Sequence, residues 1–313
     1  MTKYRNSLPQ LSGKFFLTDG GLETTLVFHD GMDLPFFAAF DLLTTVEGRA
    51  RLESYYRQYA GIAVTNRTGF ILEAPTWRAS RDWAVKMGYS TEALKAVNED
   101  AIALLLSLQA EFDGDETPMV VSGNIGPRGD GYSVDSQMTA AEAQTYHAEQ
   151  INAMAGGGAD MICAMTMTHI GEAQGVVLAA KQAGAPVVIS FTLETDGNLP
   201  SGESLEAAIA ETDAISGGYP AYYMINCAHP THFAHILWDG GAWTDRLMGL
   251  RCNASKRSHA ELDEAEDLDD GNPQELGAEH KELQQLLPHL TVFGGCCGTD
   301  HRHVGAIHSH CAP

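Results

Sequence analysis

Three cysteines have the residue type and the setting of metal ligands. Cys296 and Cys297 are adjacent, lie among glycines in the segment 294–298, and follow the apolar run 290–293. Cys227 ends a second apolar run, 222–227. Glycine permits turns that bring neighbouring side chains to one point, and three thiolates suit a soft tetrahedral ion such as Zn²⁺ with one position open. A vicinal disulfide and plain buried cysteines are the alternatives, because Cys227 and the pair match no short zinc-finger spacing.

The elements that would position these cysteines follow from apolar runs that stop at polar residues. Eight strands are predicted, at 15–19, 60–64, 119–122, 160–165, 186–191, 222–227, 247–252 and 290–293. Helical spacing of apolar residues predicts helices at 45–59, 91–112, 139–155, 171–183, 204–215, 275–287 and 301–310. Near-continuous apolar strands indicate a parallel sheet buried on both faces. The sequence therefore predicts an α/β fold, a single (β/α)8 TIM barrel.

The chain shows no linker that would divide it, so one domain over residues 1–313 is expected. Nine acidic residues lie between Glu261 and Glu279, with no Lys or Arg among them. This composition favours a solvated acidic loop at 259–280, between strand seven and helix seven, with a functional lid as the alternative.

Charge and composition exclude several classes of partner. The formal net charge of −22 argues against nucleic acid, whose phosphates would be repelled. No run approaches the length of a membrane span, and the polar start lacks the features of a signal peptide, so a cytoplasmic protein without membrane contact is expected. Six cysteines in 313 residues are too sparse for a disulfide scaffold.

A barrel would bring the three sulfur atoms together. Chemistry in this fold gathers at the carboxyl ends of the strands. Polar residues stand at those predicted ends: Asp19, Asn124, Cys227, Asn253, Cys296 and Cys297. The expected fold therefore favours the metal interpretation over the disulfide.

The chain resembles the homocysteine S-methyltransferase family, zinc-dependent thiol methyltransferases that include the betaine– and S-methylmethionine–homocysteine methyltransferases and the homocysteine module of cobalamin-dependent methionine synthase. The matching motifs are 19–21, 124–127, 189–191 with 197–202, 226–227 and 294–298. The resemblance implies a catalytic zinc held by Cys227, Cys296 and Cys297. It implies substrate binding by Asp19, Gly20, Gly21 and Asn226, with Asp19 helping to hold the amino group of homocysteine, and a role in methionine biosynthesis.

Two departures from the family pattern concern the acceptor. The family usually ends strand four with Glu-Thr, whereas this chain has Met165-Thr166. Methionine cannot accept a hydrogen bond from the substrate ammonium. Glu172 is a candidate to replace the missing glutamate, although a position on the helix surface is favoured for it. The segment 66–69 after predicted strand two also lacks the aromatic-containing polar motif of the family.

The expected activity is transfer of a methyl group from a small onium compound, such as S-methylmethionine or betaine, to a zinc-bound thiol, homocysteine or a relative. The chain has no room for folate and cobalamin modules. Phe36, Phe37 and Trp77 are candidates to contact the cation, but core packing or loop anchoring is the favoured role for each alone. A non-catalytic or partner-dependent thiol or methyl-carrier binding barrel is one alternative, and a diverged member with another thiol is a second. A zinc-dependent barrel hydrolase is disfavoured, because no paired histidines follow strand one.

Overall fold

Eight parallel strands form a closed barrel in which each strand pairs with the next along the chain and the last returns to the first. The computed structural model describes residues 2–132, 134, 137–238 and 240–313. The strands are β1 (Phe16–Leu17), β2 (Gly69–Glu73), β3 (Met119–Ile125), β4 (Met161–Met167), β5 (Val187–Phe191), β6 (Tyr222–Asn226), β7 (Leu247–Cys252) and β8 (Val292–Gly295). The predicted TIM barrel is confirmed.

Helices follow or flank the strands and cover the outside of the barrel. They are α1 (Leu22–Thr24), α2 (Val46–Asn66), α3 (Arg81–Lys86), α4 (Thr91–Phe112), α5 (Ala140–Gly157), α6 (Ile170–Gln182), α7 (Leu205–Ser216), α8 (Pro230–Trp238), α9 (His259–Asp263), α10 (Pro273–Leu286) and α11 (His301–Cys311). The predicted helix 91–112 matches α4, and Ser90 caps it by accepting a hydrogen bond from the backbone N–H of Ala93. None of the described helices is long and apolar enough to span a membrane.

The second strand lies later in the chain than predicted. Residues 60–64 continue α2, which ends at Asn66 where Arg67 takes a left-handed conformation. Ala60 and Ala63 are buried on the same helical face as Tyr56 and Tyr59, so packing overrides the strand preference of the local sequence. The observed β2 is Gly69–Glu73, in a segment for which the sequence pattern predicts no helix or strand.

The barrel interior is a packed core. Side chains from alternate strand positions fill it, among them Phe16, Ile71, Val120, Cys163 and Met165. Gly69 leaves the space that the ring of Phe16 occupies, since a Cβ there would lie 2.3 Å from the ring. The chain therefore closes the lower barrel with apolar side chains and leaves the polar ones at the carboxyl ends of the strands.

The acidic segment 259–280 is not one loop. It contains α9 and the first half of α10, and the stretch 264–272 connects them. Leu262, Asp263, Ala265 and the segment 267–269 reach over the carboxyl ends of the strands and line the cavity described below.

Candidate active site

The three predicted metal ligands meet at the carboxyl end of the barrel. The Sγ atoms of Cys227, Cys296 and Cys297 all lie within 4.8 Å of one another, and those of Cys227 and Cys297 are 3.9 Å apart. In the described part of the chain, no other three His, Cys, Asp or Glu side chains form such a group. The barrel thus joins residues separated by about seventy positions in the sequence.

Backbone contacts fix Cys227 directly after β6. Its φ of 52° lies in the left-handed region, which is uncommon for a residue with a Cβ. Its N–H donates to the carbonyl of Arg251 (3.1 Å), and its own carbonyl accepts from the amide of Asn253 (3.0 Å) and from Nε2 of His259 (2.6 Å). The position of this ligand is therefore set by β7 and by the start of α9.

Cys296 and Cys297 are held in place by close contact between the ends of β8 and β1. Gly294 lies against Thr18, whose Oγ1 would be 1.8 Å from a Cβ at that position. The N–H of Cys296 donates to the carbonyl of Cys252 (2.9 Å), and Gly298 turns the chain with a φ of 78°. Glycine is required at both positions, for space at Gly294 and for conformation at Gly298.

The donor set fits a zinc ion. Tetrahedral zinc with Zn–S distances of about 2.3 Å places its sulfur ligands about 3.8 Å apart, close to the separation of Cys227 and Cys297. Cys227 and Cys296 are joined by a disulfide in this structure, so that bond must be reduced before all three sulfur atoms can bind a metal. The sequence favours metal binding over a disulfide, and the pairing of Cys227 with Cys296 was not predicted.

Tyr132 contacts the cysteine group from the loop that follows β3. Its hydroxyl lies 3.2 Å from Sγ of Cys297, within hydrogen-bonding distance. Its ring stacks on the imidazole of His259, with the ring centres 4.3 Å apart. Burial raises the pKa of the Cys297 thiol, and the contact with Tyr132 opposes that rise. The sequence analysis did not identify Tyr132, because no periodic pattern marks a loop residue.

A cavity of about 530 Å³ opens beside the sulfur atoms, a volume within the range of small-molecule sites. Among the residues that the structure describes, seven carboxylates and two guanidinium groups line it, together with apolar and aromatic side chains. Phe37 and Trp77 line the cavity, whereas Phe36 does not and packs against Trp83. The guanidinium of Arg78 covers the ring of Trp77 at 4.1 Å from its centre.

Asp19 lies on the cavity wall, but its charge already has a partner. Nη2 of Arg251 is 2.7 Å from its Oδ1, although the geometry is not that of an aligned hydrogen bond. The hydroxyl of Tyr55 donates to Oδ2 at 3.0 Å. Burial raises the pKa of Asp19, and Arg251 and Tyr55 oppose that rise.

The other predicted substrate-binding residues shape the same wall. A Cβ on Gly21 would lie 2.5 Å from the carbonyl oxygen of Cys296. A Cβ on Gly20 would lie 2.7 Å from the hydroxyl of Tyr59. The amide of Asn226 accepts from the backbone N–H of Thr166 and donates to its hydroxyl, both at 2.9 Å. Asn226 thereby supports the left-handed conformation of Thr166, whose φ is 62°.

Glu73 is a site residue that the sequence analysis missed. It ends β2, is buried and lines the cavity, and neither of its oxygen atoms accepts a hydrogen bond from any described residue. Burial raises its pKa to about 7. Glu23 also lines the cavity, and burial raises its pKa to about 7 as well, although its surface is partly exposed. A glutamate that ends an apolar run was the available signal, but the misplaced second strand hid it.

The structure also shows where the residues that depart from the family pattern lie. Met165 is buried and lines the cavity, so no carboxylate occupies that position. Glu172 does not replace it, because its Oε1 binds Nε2 of His147 (2.8 Å) and the backbone N–H of Arg128 (2.7 Å) away from the cavity. Residues 66–69, which were expected to follow the second strand, instead join the end of α2 to the start of β2.

Comparison with known proteins agrees with these features. Residues 16–311 match the family described as homocysteine S-methyltransferase. The crystal structure of the homocysteine methyltransferase MmuM from Escherichia coli in its oxidised form has a TM-score of 0.73 at 18% identity, covering 98% of this chain and 99% of that one. The metallated form of that enzyme gives 0.71 at 21% identity, covering 95% and 96%. No curated protein sequence matches the chain.

At this level of identity the MmuM structures support the fold, and the family match adds the chemistry. That match extends over nearly the whole barrel and includes every motif that surrounds the three cysteines. The chain therefore belongs to the homocysteine S-methyltransferase family and is a methyltransferase.

Proposed function

We propose that this enzyme uses zinc held by Cys227, Cys296 and Cys297 to transfer a methyl group from a small onium compound to homocysteine or a closely related thiol. The observation that carries the proposal is the convergence of three sulfur atoms within 4.8 Å of one another, at the wall of a cavity large enough for two small substrates. Family membership favours this activity over a non-catalytic binding barrel.

Zinc, when bound, would supply a positive centre that favours loss of the acceptor thiol proton and fixes the direction of its sulfur. The residues of the chain orient the metal ligands and bind the acceptor. Backbone contacts orient the three cysteines, and Tyr132 supports Cys297 through its hydroxyl. Asp19, Gly20, Gly21 and Asn226 form the wall that we assign to the acceptor.

The charge of the cavity supports a cationic methyl donor. Seven carboxylates against two guanidinium groups give a negative site, and three of those carboxylates, Asp263, Asp267 and Asp269, come from the acidic segment over the opening. A cleft lined by one sign of charge attracts ligands of the opposite sign. A sulfonium or quaternary ammonium compound fits this field better than an anionic methyl donor such as a folate.

The ring of Phe37 also faces the cavity and is available to an onium group. With both substrates in one cavity, the thiol sulfur and the methyl carbon are brought together for in-line attack, and the enclosing walls reduce competition from water. When the thiolate sulfur bonds to the methyl carbon, the bond from that carbon to the onium atom breaks. Its electron pair neutralises the onium atom, so the donor leaves as an uncharged sulfide or amine group without help from an acid.

Turnover by the reduced, zinc-loaded protein tests the proposal. Thiols and methyl donors are supplied as a matrix, and methylated products are measured by mass spectrometry. We expect methylation of homocysteine with a sulfonium or ammonium compound and none with methylfolate. Cys297→Ser serves as the comparison and should lose most of the activity. Turnover of no thiol with any onium compound would reject the proposed function.

A further inference from the structure

Glu73 combines deep burial with a lack of polar partners. Its exposed fraction is 3%, and no described residue donates a hydrogen bond to either carboxylate oxygen. The side chains of Ser122 and Cys163 lie near its carboxylate inside the barrel and oppose the rise of its pKa, but neither carboxylate oxygen has a hydrogen bond of normal geometry. An isolated buried carboxylate is costly, so a group like this in a ligand cavity marks a place where a ligand supplies the partner.

The strand register places Glu73 at the level of the cysteine group. Gly69 of β2, Phe16 of β1 and Val292 of β8 form one row of the sheet. Glu73 lies four residues beyond Gly69, and Cys296 lies four residues beyond Val292. Neighbouring strands are about 4.8 Å apart, so these two positions lie about 10 Å from each other at the mouth of the barrel, with the end of β1 between them.

The guanidinium groups of the cavity are committed elsewhere. Arg251 lies against Asp19 and donates to the carbonyls of Gly20 (3.2 Å) and Gly295 (3.0 Å). Arg78 donates to the carbonyl of Gly129 (2.8 Å) and stacks on Trp77. Asp19 and Glu73 therefore have one nearby guanidinium between them, which leaves one negative charge for a cationic group of the substrate to balance.

We propose that Glu73 binds the ammonium group of the acceptor while the thiol of the same molecule faces the three cysteines. The inference rests on the proposed function and names the residue that makes the site select an amino-acid thiol. In homocysteine the sulfur and the nitrogen are about 5 Å apart when the chain is extended, which suits two anchoring groups that lie about 10 Å apart in one cavity. Met165 lines the same cavity but carries no charge, so it cannot balance the ammonium group as Glu73 can.

The test compares the binding of homocysteine with that of its deamino analogue 4-mercaptobutyrate, by calorimetry on reduced, zinc-loaded protein without any methyl donor. The wild type should prefer homocysteine by about tenfold or more, the effect of a hydrogen bond between charged groups. Glu73→Gln should abolish this preference mainly by weakening homocysteine. Glu206→Gln, the same change on an exposed carboxylate of α7 outside the cavity, should keep it.

A structural role for Glu73 predicts a different pattern. Loss of a structural group would lower the melting temperature and weaken both thiols equally, whereas loss of an unpartnered buried carboxylate should leave the melting temperature unchanged or raise it. Glu73→Asp keeps the charge and should retain part of the preference.

Three outcomes overturn the inference. Equal binding of the two thiols by the wild type, or an unchanged preference in Glu73→Gln, would show that Glu73 does not hold the ammonium, and the proposed methyl transfer would stand. Failure of the zinc-loaded wild type to bind either thiol would reject the proposed function and this inference with it.

Discussion

Nη2 of Arg251 and Oδ1 of Asp19 lie 2.7 Å apart, with both side chains buried. The same guanidinium donates to the carbonyls of Gly20 and Gly295, so a single side chain joins the ends of β1, β7 and β8. The ion pair stabilises the turn that precedes Cys296 and also balances the charge of Asp19.

Removal of this guanidinium should destabilise the fold. Arg251→Met leaves Asp19 buried without a counter-charge, and the expected loss is about 3–5 kcal/mol in the free energy of unfolding. Urea denaturation measures it. The double variant Asp19→Asn with Arg251→Met should recover part of the loss, since no unpaired charge remains. Arg81→Met, which breaks an exposed ion pair with Glu149, should have little effect.

Zinc content should depend on Cys296. We expect the reduced wild type to bind one zinc ion per chain and Cys296→Ser to bind it far more weakly, because a neutral hydroxyl replaces a thiolate. Metal analysis after dialysis measures this, and Cys163→Ser, a buried cysteine outside the group, is the control. Full zinc retention in Cys296→Ser would contradict the ligand set.

The hydroxyl of Tyr132 should strengthen zinc binding. Loss of a group that contacts a metal ligand commonly weakens metal affinity by 10-fold or more, so Tyr132→Phe should raise the zinc dissociation constant by about tenfold. Competition with a chromophoric chelator measures the constant. Tyr223→Phe removes a buried hydroxyl that binds Asp213 away from the site and should change nothing. Equal affinities in wild type and Tyr132→Phe would show that the contact with Cys297 has no effect on the metal.

Glu73 should make stability depend on pH. Its pKa in the folded protein is about 7, above the ordinary value of 4.5, so the folded state binds more protons than the unfolded state between these two values. Stability should therefore fall by about 3 kcal/mol as the pH rises through this window, and then level off above it. Below the window both states carry a neutral Glu73, and its contribution is fully present.

The comparison with Glu73→Gln isolates this effect. Urea unfolding of the variant at about pH 4 and about pH 8 should lack the decrease assigned to Glu73, so the variant should exceed the wild type in stability mainly at the higher pH. Glu206→Gln, on an exposed position of α7, should follow the wild type. Parallel pH profiles for wild type and Glu73→Gln would show that folding does not raise the pKa of Glu73.

The sequence predicted the elements on which the cysteines lie because those elements have simple patterns. The runs 222–227 and 290–293 are apolar, end at polar residues, and became β6 and β8 with small shifts in their ends. The run 60–64 has the same local character, but Ala60 and Ala63 face the core at helical spacing, and tertiary packing extends α2 through it. Local preference alone does not distinguish these two cases.

The electrostatic part of the site was beyond sequence reasoning. Which carboxylates are balanced and which are not depends on the position of Arg251, a residue that the linear pattern presents only as one charge within a strand. The contact between Tyr132 and Cys297 joins residues far apart in the chain and belongs to a loop without periodic structure. Both relationships arise when the barrel closes.

The left-handed backbone at Cys227 has a consequence for how the site is assembled. Its amide and carbonyl groups are already held by Arg251, Asn253 and His259 before any ligand arrives. Ordering a residue costs conformational entropy, and the backbone of Cys227 is already ordered in the folded protein. Once the disulfide between Cys227 and Cys296 is reduced, binding of an ion would need little more than rotation of side chains, and the spacing of the sulfur atoms would decide which ion fits.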